Sequence, residues 1–215
     1  TIARQDNEIF EDDLEDGLQS AEEMIPKGEL QNRKIISGIP IEYLVDKKPV
    51  FGNALGMQGG ELSVKALFIT CPESHVRDLV DALAEAGIEI LDVYAAPIAA
   101  SFVTLTKSQK IAGCVLANIG SETVSISVFE NSIPISLEVF PIGSTNITHD
   151  IALGMKIPLE EAEMLKRGGL LNADYPKKKL DDIISSRLSD IFDLIEAHLK
   201  KIGRSQLLPA GIIIT

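Results

Sequence analysis

The stretch Cys114–Phe129, CVLANIGSETVSISVF, constrains this chain more than any other. It reads as two strands meeting at a tight corner. The first strand is expected over Ile111–Ala117, and the corner is Asn118-Ile119-Gly120-Ser121-Glu122-Thr123. Beyond it Val124, Ile126 and Val128 alternate with Thr123, Ser125 and Ser127, the period of a half-buried strand. After a polar turn, Glu130-Asn131-Ser132, a third strand is expected, with Ile133, Ile135, Leu137 and Val139 inward and Pro134, Ser136 and Glu138 outward. The pattern predicts a three-stranded meander whose first corner is built from small residues.

The flanking segments supply helices. Ile9–Ile25 is acidic with helical spacing of Ile9, Leu14, Leu18, Ala21 and Ile25, and Pro26-Lys27-Gly28 ends it. Ile35–Val45 carries strand-forming residues interrupted at Gly38 and Pro40, and Lys47–Gly60 reads as a loop. A strand over Leu62–Thr70 is stopped by Pro72. A helix from Ser74 to Ala86 follows, with Gly87 as its cap. Ile88–Val93 is expected as a strand and Pro97–Leu105 as a short apolar helix. Beyond the meander, Gly143–Met155 is expected to be helical with Thr145 or Asn146 as its cap. Pro158 opens another helix reaching Lys166 or Arg167. Asn172–Lys178 reads as a polar loop. From Leu180 to Ile202 apolar residues recur at steps of three and four, marking a long amphipathic helix. Ala210–Ile214 is expected as a buried strand.

The order helix, strands, helix, strand, then meander, helices, strand predicts an α+β unit followed by an α/β unit. The boundary is expected in the polar stretch Thr106–Lys110, giving domains 1–105 and 106–215. With 215 residues, 45% of them apolar, both units can hold a core. The net charge of −12 argues against binding nucleic acid or an acidic membrane through bulk charge, and leaves room for a local basic patch. No apolar run approaches the ~18–20 residues of a membrane span. Cys71 and Cys114 read as reduced core thiols of a cytoplasmic protein. His75, His149 and His198 lack metal-ligand spacing, and no Ser/His/Asp arrangement or thiol–base pair is evident. The chain opens at Thr1 without Met and stops at Thr215 on an apolar run, so an excised fragment of a longer protein is expected.

The corner Asn118–Thr123 resembles the second phosphate loop of the actin-like ATPases, Asp-x-Gly-Gly-Gly-Thr between two strands. Gly120 and Thr123 match; Asn118, Ser121 and Glu122 depart. The wider resemblance is to the bacterial cell-division family FtsA. Ile39–Asp46, Leu55–Leu62 and Ala95–Ser101 are similar to signatures of its SHS2 subdomain, and Pro141–Ala152 to its connecting loop and helix. The resemblance implies an SHS2-like α+β subdomain followed by part of an actin-like, ribonuclease H-like domain.

It also implies a nucleotide site. Glycines let backbone N–H groups approach phosphate oxygens without a side chain intervening. The implied site comprises Asn118, Gly120, Ser121, Glu122, Thr123, Gly143 and Ser144, with Glu163, Lys166 and Arg167 beside adenosine. The last three lie at i, i+3 and i+4, hence on one helix face. The expected cofactor is ATP with Mg, bound weakly or not at all. Asn118 lacks the negative charge that holds the metal's water shell. A Glu122 carboxylate about 5 Å from one phosphate charge would be repelled by roughly 3 kcal/mol at an effective dielectric of ~20. Efficient hydrolysis is therefore not expected.

The same resemblance implies partners. These are the C-terminal tail of FtsZ, other division proteins, a second copy of the chain and, through a segment outside this chain, the membrane. The implied location is the cytoplasmic face of the cell membrane at the division site. Arg187, in Ile183-Ile184-Ser185-Ser186-Arg187-Leu188, and the basic run containing Lys178 and Lys179 are the expected tail contacts. A short peptide with acidic and apolar anchors suits a basic helix start beside an apolar groove. Two other readings compete: a pilus-assembly module of the PilM type, and an ordinary actin-like ATPase or kinase.

Overall fold

The fold is that of a computed structural model, which describes residues 8–50, 52–169 and 175–215. The chain forms two compact units. One is Thr1–Ala99 with Ile133–Ile135; the other is Ala100–Ser132 with Ser136–Thr215.

In the first unit, α1 (Glu11–Glu23) lies on a sheet of β1 (Arg33–Val45), β2 (Lys48–Val50) and β3 (Leu62–Pro72), ordered β2-β1-β3 and antiparallel. Gly17 lets the helix come close, since a Cβ there would stand 2.7 Å from Val64 Cγ2. Ile9, Leu14, Val45 and Ala54 form a buried cluster beside it. The sequence predicts interruptions at Gly38 and Pro40, yet β1 runs through both. Register shifts between Ile35 and Ser37 and between Pro40 and Glu42 absorb one extra residue each, and bulges are where strands tolerate proline. The expected loop Lys47–Gly60 contains β2. Asp46 and Lys47 both take positive φ, 48° and 66°, forming the two-residue turn that a hairpin favours. The Asp46 carboxylate then accepts hydrogen bonds from the N–H groups of Gly60 and Glu61, each 3.0 Å.

α2 (Glu73–Glu85) follows β3 directly, and Gly87 takes a φ of 72° just past its end. The strand expected over Ile88–Val93 is absent: the segment is irregular and Leu91 is 92% exposed. Its apolar residues have no neighbouring strand among the described residues, so β propensity has nothing to act through.

The second unit begins with α3 (Ala96–Thr104), whose first residues lie before the division, and α4 (Lys107–Ala112). The polar stretch Thr106–Lys110, where the sequence places the boundary, is the N-cap and first residues of α4. Thr106 Oγ1 accepts from the Gln109 N–H, and the Thr106 N–H donates to Gln109 Oε1, a reciprocal cap that starts α4. The first meander strand consequently starts later than expected. It is β4 (Cys114–Ile119), followed by β5 (Val124–Glu130) and β6 (Ile133–Phe140). Asn131 and Ser132, φ 50° and 70°, form the turn between β5 and β6.

β7 (Ile212–Ile214) joins β4 in parallel, giving the order β6-β5-β4-β7. It is an edge strand with Ile214 55% exposed, not the buried strand expected. β5 is buried on both faces over Ile126–Phe129, so Ser127 is inside as well. On β6 the pattern inverts: Ser136 is buried while Val139 is 48% exposed.

Three helices complete the unit: α5 (Ser144–Met155), α6 (Leu159–Lys166) and α7 (Lys177–Lys201). Ile147 and Ile151 of α5 meet Ala162 and Leu165 of α6, with Ile183, Ile184 and Leu188 of α7 packed against them. Gly168, φ 74°, follows α6, and Pro158 precedes it as its N-cap. Of the expected polar loop, residues 172–174 lie outside the described residues, and Lys177 and Lys178 belong to the first turn of α7.

Candidate functional site

β4 and β5 pair through Asn118↔Ser125 and Ile119↔Val124, so Asn118 and Ile119 belong to β4 and the true corner is Gly120–Thr123. The Gly120 N–H closes it on the Thr123 carbonyl at 2.9 Å. The start of α5 seats on this corner. The Ser144 N–H donates to the Gly120 carbonyl and the Thr145 N–H to the Ser121 carbonyl, both 2.9 Å. Gly143 lies flat on the same peptide: a Cβ there would meet Ser121 O at 2.3 Å and Glu122 N at 2.8 Å. Gly143 is also the N-cap of α5, in place of the expected Thr145 or Asn146. The Asn146 side chain reaches back instead, its Oδ1 accepting from the Gly143 N–H at 2.9 Å. Thr145 Oγ1 donates to Glu122 Oε1 at 2.9 Å, which holds the carboxylate against the first turn of α5.

One turn further along, α5 meets α6 through a closed polar cluster. Thr148 Oγ1 and Glu163 Oε2 are 2.6 Å apart. Lys166 Nζ donates to Thr148 Oγ1 at 2.7 Å and to the Ser144 carbonyl at 3.1 Å, and pairs with Glu163 Oε2 at 2.6 Å. Those contacts use all three Lys166 protons. Arg167 Nε donates to Glu163 Oε1 at 2.7 Å. The hydrogen bonds from Lys166, Thr148 and Arg167, in that order of effect, hold the Glu163 carboxyl down to a pKa of about 2. Glu163 is thus ionised and a pure acceptor, with lone-pair capacity left for one hydroxyl. Arg167 is 76% exposed, and its two remaining nitrogens carry no partner among the described residues.

The structure therefore gathers Gly120, Ser121, Glu122, Thr123, Gly143 and Ser144 at one corner, with Asn118 just before it. It gathers Glu163, Lys166 and Arg167 on the adjoining helix face. On the α6 side an ionised acceptor lies beside a guanidinium with two open nitrogens, an arrangement whose chemistry can hold hydroxyl groups. On the corner side the donors at the start of α5 are already taken. The N–H groups of Gly143, Ser144 and Thr145 are spent on Asn146 and the corner carbonyls, and a carboxylate occupies the positive end of the helix. Thr148, the hydroxyl centre of the cluster, has no signal in the sequence beyond lying four residues after Ser144 on a helix.

Arg187 stands apart from that corner, between α5 and α7. Its Nε and Nη2 grip Asp150 Oδ2 and Oδ1 at 2.6 and 3.0 Å, and Nη1 lies 3.2 Å from Asp190. These partners, Asp150 foremost, push the guanidinium pKa up. A groove of about 260 Å³ opens there, lined by Asp150, Leu153, Ile183, Ser186, Arg187 and Asp190. Lys178 and Lys179 are exposed in the first turn of α7 and do not line it.

A third constellation escapes sequence reading because 62 residues separate its members. Ser136 Oγ lies 2.8 Å from His198 Nε2, and His198 Nδ1 lies 3.4 Å from Glu138. Ser136 and His198 are buried, so no substrate carbonyl reaches the hydroxyl; the trio pins α7 to β6.

The fold neighbours set the class. A PilM-PilN type IV pilus biogenesis complex superposes with a TM-score of 0.63 at 20% identity, covering 94% of this chain and 54% of that one. MreB 5 of Spiroplasma citri bound to AMPPNP gives 0.52 at 14% identity, over 60% of this chain and 48% of that one. The fold is actin-like, with an SHS2-type α+β unit ahead of the described actin-like elements.

Two family models then match. "Cell division protein FtsA" covers residues 115–206 and "SHS2 domain inserted in FTSA" covers residues 1–70. The cell division protein FtsA of Bacillus subtilis is 27% identical over all of this chain and 52% of its own length; that of Pseudomonas aeruginosa is 25% identical over all of this chain and 56% of its own. The chain belongs to the FtsA family of cell-division proteins. It spans about half the length of these relatives.

Proposed function

We propose that the protein is an FtsA-type cell-division adaptor. In this reading it holds the C-terminal tail of FtsZ in the groove between α5 and α7, self-associates, and links the FtsZ ring to the membrane at the division site. It also holds the nucleoside part of an adenine nucleotide against Glu163 and Arg167, binds ATP weakly at most, and does not hydrolyse it, since Asn118 provides no carboxylate for a metal's water shell. The observation that carries the tail-binding reading is the groove itself. An apolar floor of Leu153 and Ile183 lies beside a guanidinium, in the second unit of an FtsA-family chain.

Calorimetry with the FtsZ tail peptide and the intact protein tests this. Binding is expected in the wild type and lost in Leu153→Asp, a residue 78% exposed whose change leaves the core alone. Arg187→Gln is expected to weaken it as well. Binding unchanged in both variants overturns the site. No binding by the wild type overturns the FtsZ assignment and favours the pilus-type module.

A further inference from the structure

Glu122 is not a passive departure from a glycine loop. Its carboxylate is seated: Oε1 accepts from Thr145 Oγ1 in the first turn of α5, the end where a helix favours negative charge. Around that seat the first N–H groups of α5 all have partners. Gly143 donates to Asn146 Oδ1, Ser144 to the Gly120 carbonyl and Thr145 to the Ser121 carbonyl. The junction is also tight, with the Gly143 Cα packed on the Ser121–Glu122 peptide so closely that even a methyl would strike it. The corner thus offers an incoming phosphate no free N–H from Gly143, Ser144 or Thr145, and sets an exposed carboxylate of like charge at the first turn of α5. Beyond the Thr148–Lys166 cluster, Glu163 of α6 and the exposed Arg167 at its end keep capacity for a neutral sugar.

We propose that Glu122 is a built-in anionic plug at the phosphate position, so that this site takes an adenine nucleoside and rejects its triphosphate. The proposal rests on the nucleotide reading of the Glu163–Arg167 face. It gives Glu122 the role of a specificity-determining residue and Thr145 that of a positioning residue.

The test compares adenosine with ATP on the intact protein, by saturation-transfer NMR for weak binding and calorimetry for tight. The wild type is expected to bind adenosine at least as tightly as ATP. Glu122→Gly is expected to tighten ATP about tenfold or more, with adenosine held within about twofold, as removal of one nearby like charge predicts. Glu122→Gln keeps an acceptor for Thr145 while losing the charge, so it moves ATP in the same direction even if the glycine variant folds poorly. ATP binding far tighter than adenosine in the wild type overturns the plug, as does an ATP-to-adenosine ratio that neither variant changes. If adenosine itself fails to bind and Glu163→Gln changes nothing, the nucleotide reading falls and takes the plug with it.

Discussion

At Gly143 the backbone is extended, φ −158° and ψ −168°, a conformation any residue adopts. Glycine is needed there for space alone, because the Ser121 carbonyl lies where a Cβ would go. A backbone carbonyl cannot swing aside as a side-chain tip can, and this one already accepts the Thr145 N–H. Gly143→Ala is therefore expected to lose about 1–3 kcal/mol of stability, the usual range for forcing a methyl into a packed site. Urea unfolding reads the loss. Gly168→Ala is the contrast, with open space around it but a φ of 74°, so its penalty comes from backbone strain and not from packing. Glycines, carboxylates and cations are legible at this scale because their chemistry is written in the residue. What the residue cannot reveal is who already holds it. Arg187 looks like a free cation in the sequence and is doubly paired in the fold, and Lys166 looks like a ligand contact and has no proton to spare.

Among the elements, β6 and α7 are joined by a device that periodicity conceals. Alternation assigns Ser136 to the outer face, but the fold turns it inward to meet His198. Burial lowers the His198 pKa from its ordinary 6.5; nearby Glu138 opposes the shift and Lys201 adds to it. The unfolded chain then binds more protons than the folded one between the two values, so this contribution is present above pH 6.5 and is lost as pH falls through the folded value. Urea unfolding from pH 7.5 down to about 5 is expected to show falling stability in the wild type and a flatter profile in His198→Gln. Ser136→Ala should lower stability by about 1–3 kcal/mol at neutral pH, since it leaves a buried ring nitrogen unpaired. The elements that sequence reading placed well, α1, β3, α2 and α7, each bury one face against a neighbour, so their periods survive. β2 is only three residues long and pairs with Tyr43–Val45 across a two-residue turn, too short to show a period, while the irregular segment over 88–95 has strand-forming residues but no neighbouring strand among the described residues. α7 itself starts with Lys177, Lys178 and Lys179, the wrong charge for a helix N-terminus.

For the molecule as a whole, charge sets the terms on which any peptide arrives. The chain carries a net charge of −12, and its best-placed groove cation, Arg187, is bracketed by Asp150 and Asp190. An acidic peptide meets repulsion from a distance and attraction only close to the start of α7, within the ~10 Å that charges are felt at 0.1 M salt. Contact with Leu153 and Ile183 must then carry most of the affinity. Two expectations follow for tail binding measured by calorimetry. Raising salt from about 50 to 300 mM should change affinity only modestly, on the order of threefold or less, because long-range repulsion and short-range attraction are screened together. Asp150→Asn should strengthen binding by freeing part of the Arg187 fork, with a parallel loss of folding stability from the broken bidentate pair. A steep fall of affinity with salt would mean instead that Arg187 leaves its own carboxylates to grip the peptide's. In that case Asp150→Asn should steepen the salt dependence further, because the peptide's ion pair then forms without an internal pair being given up.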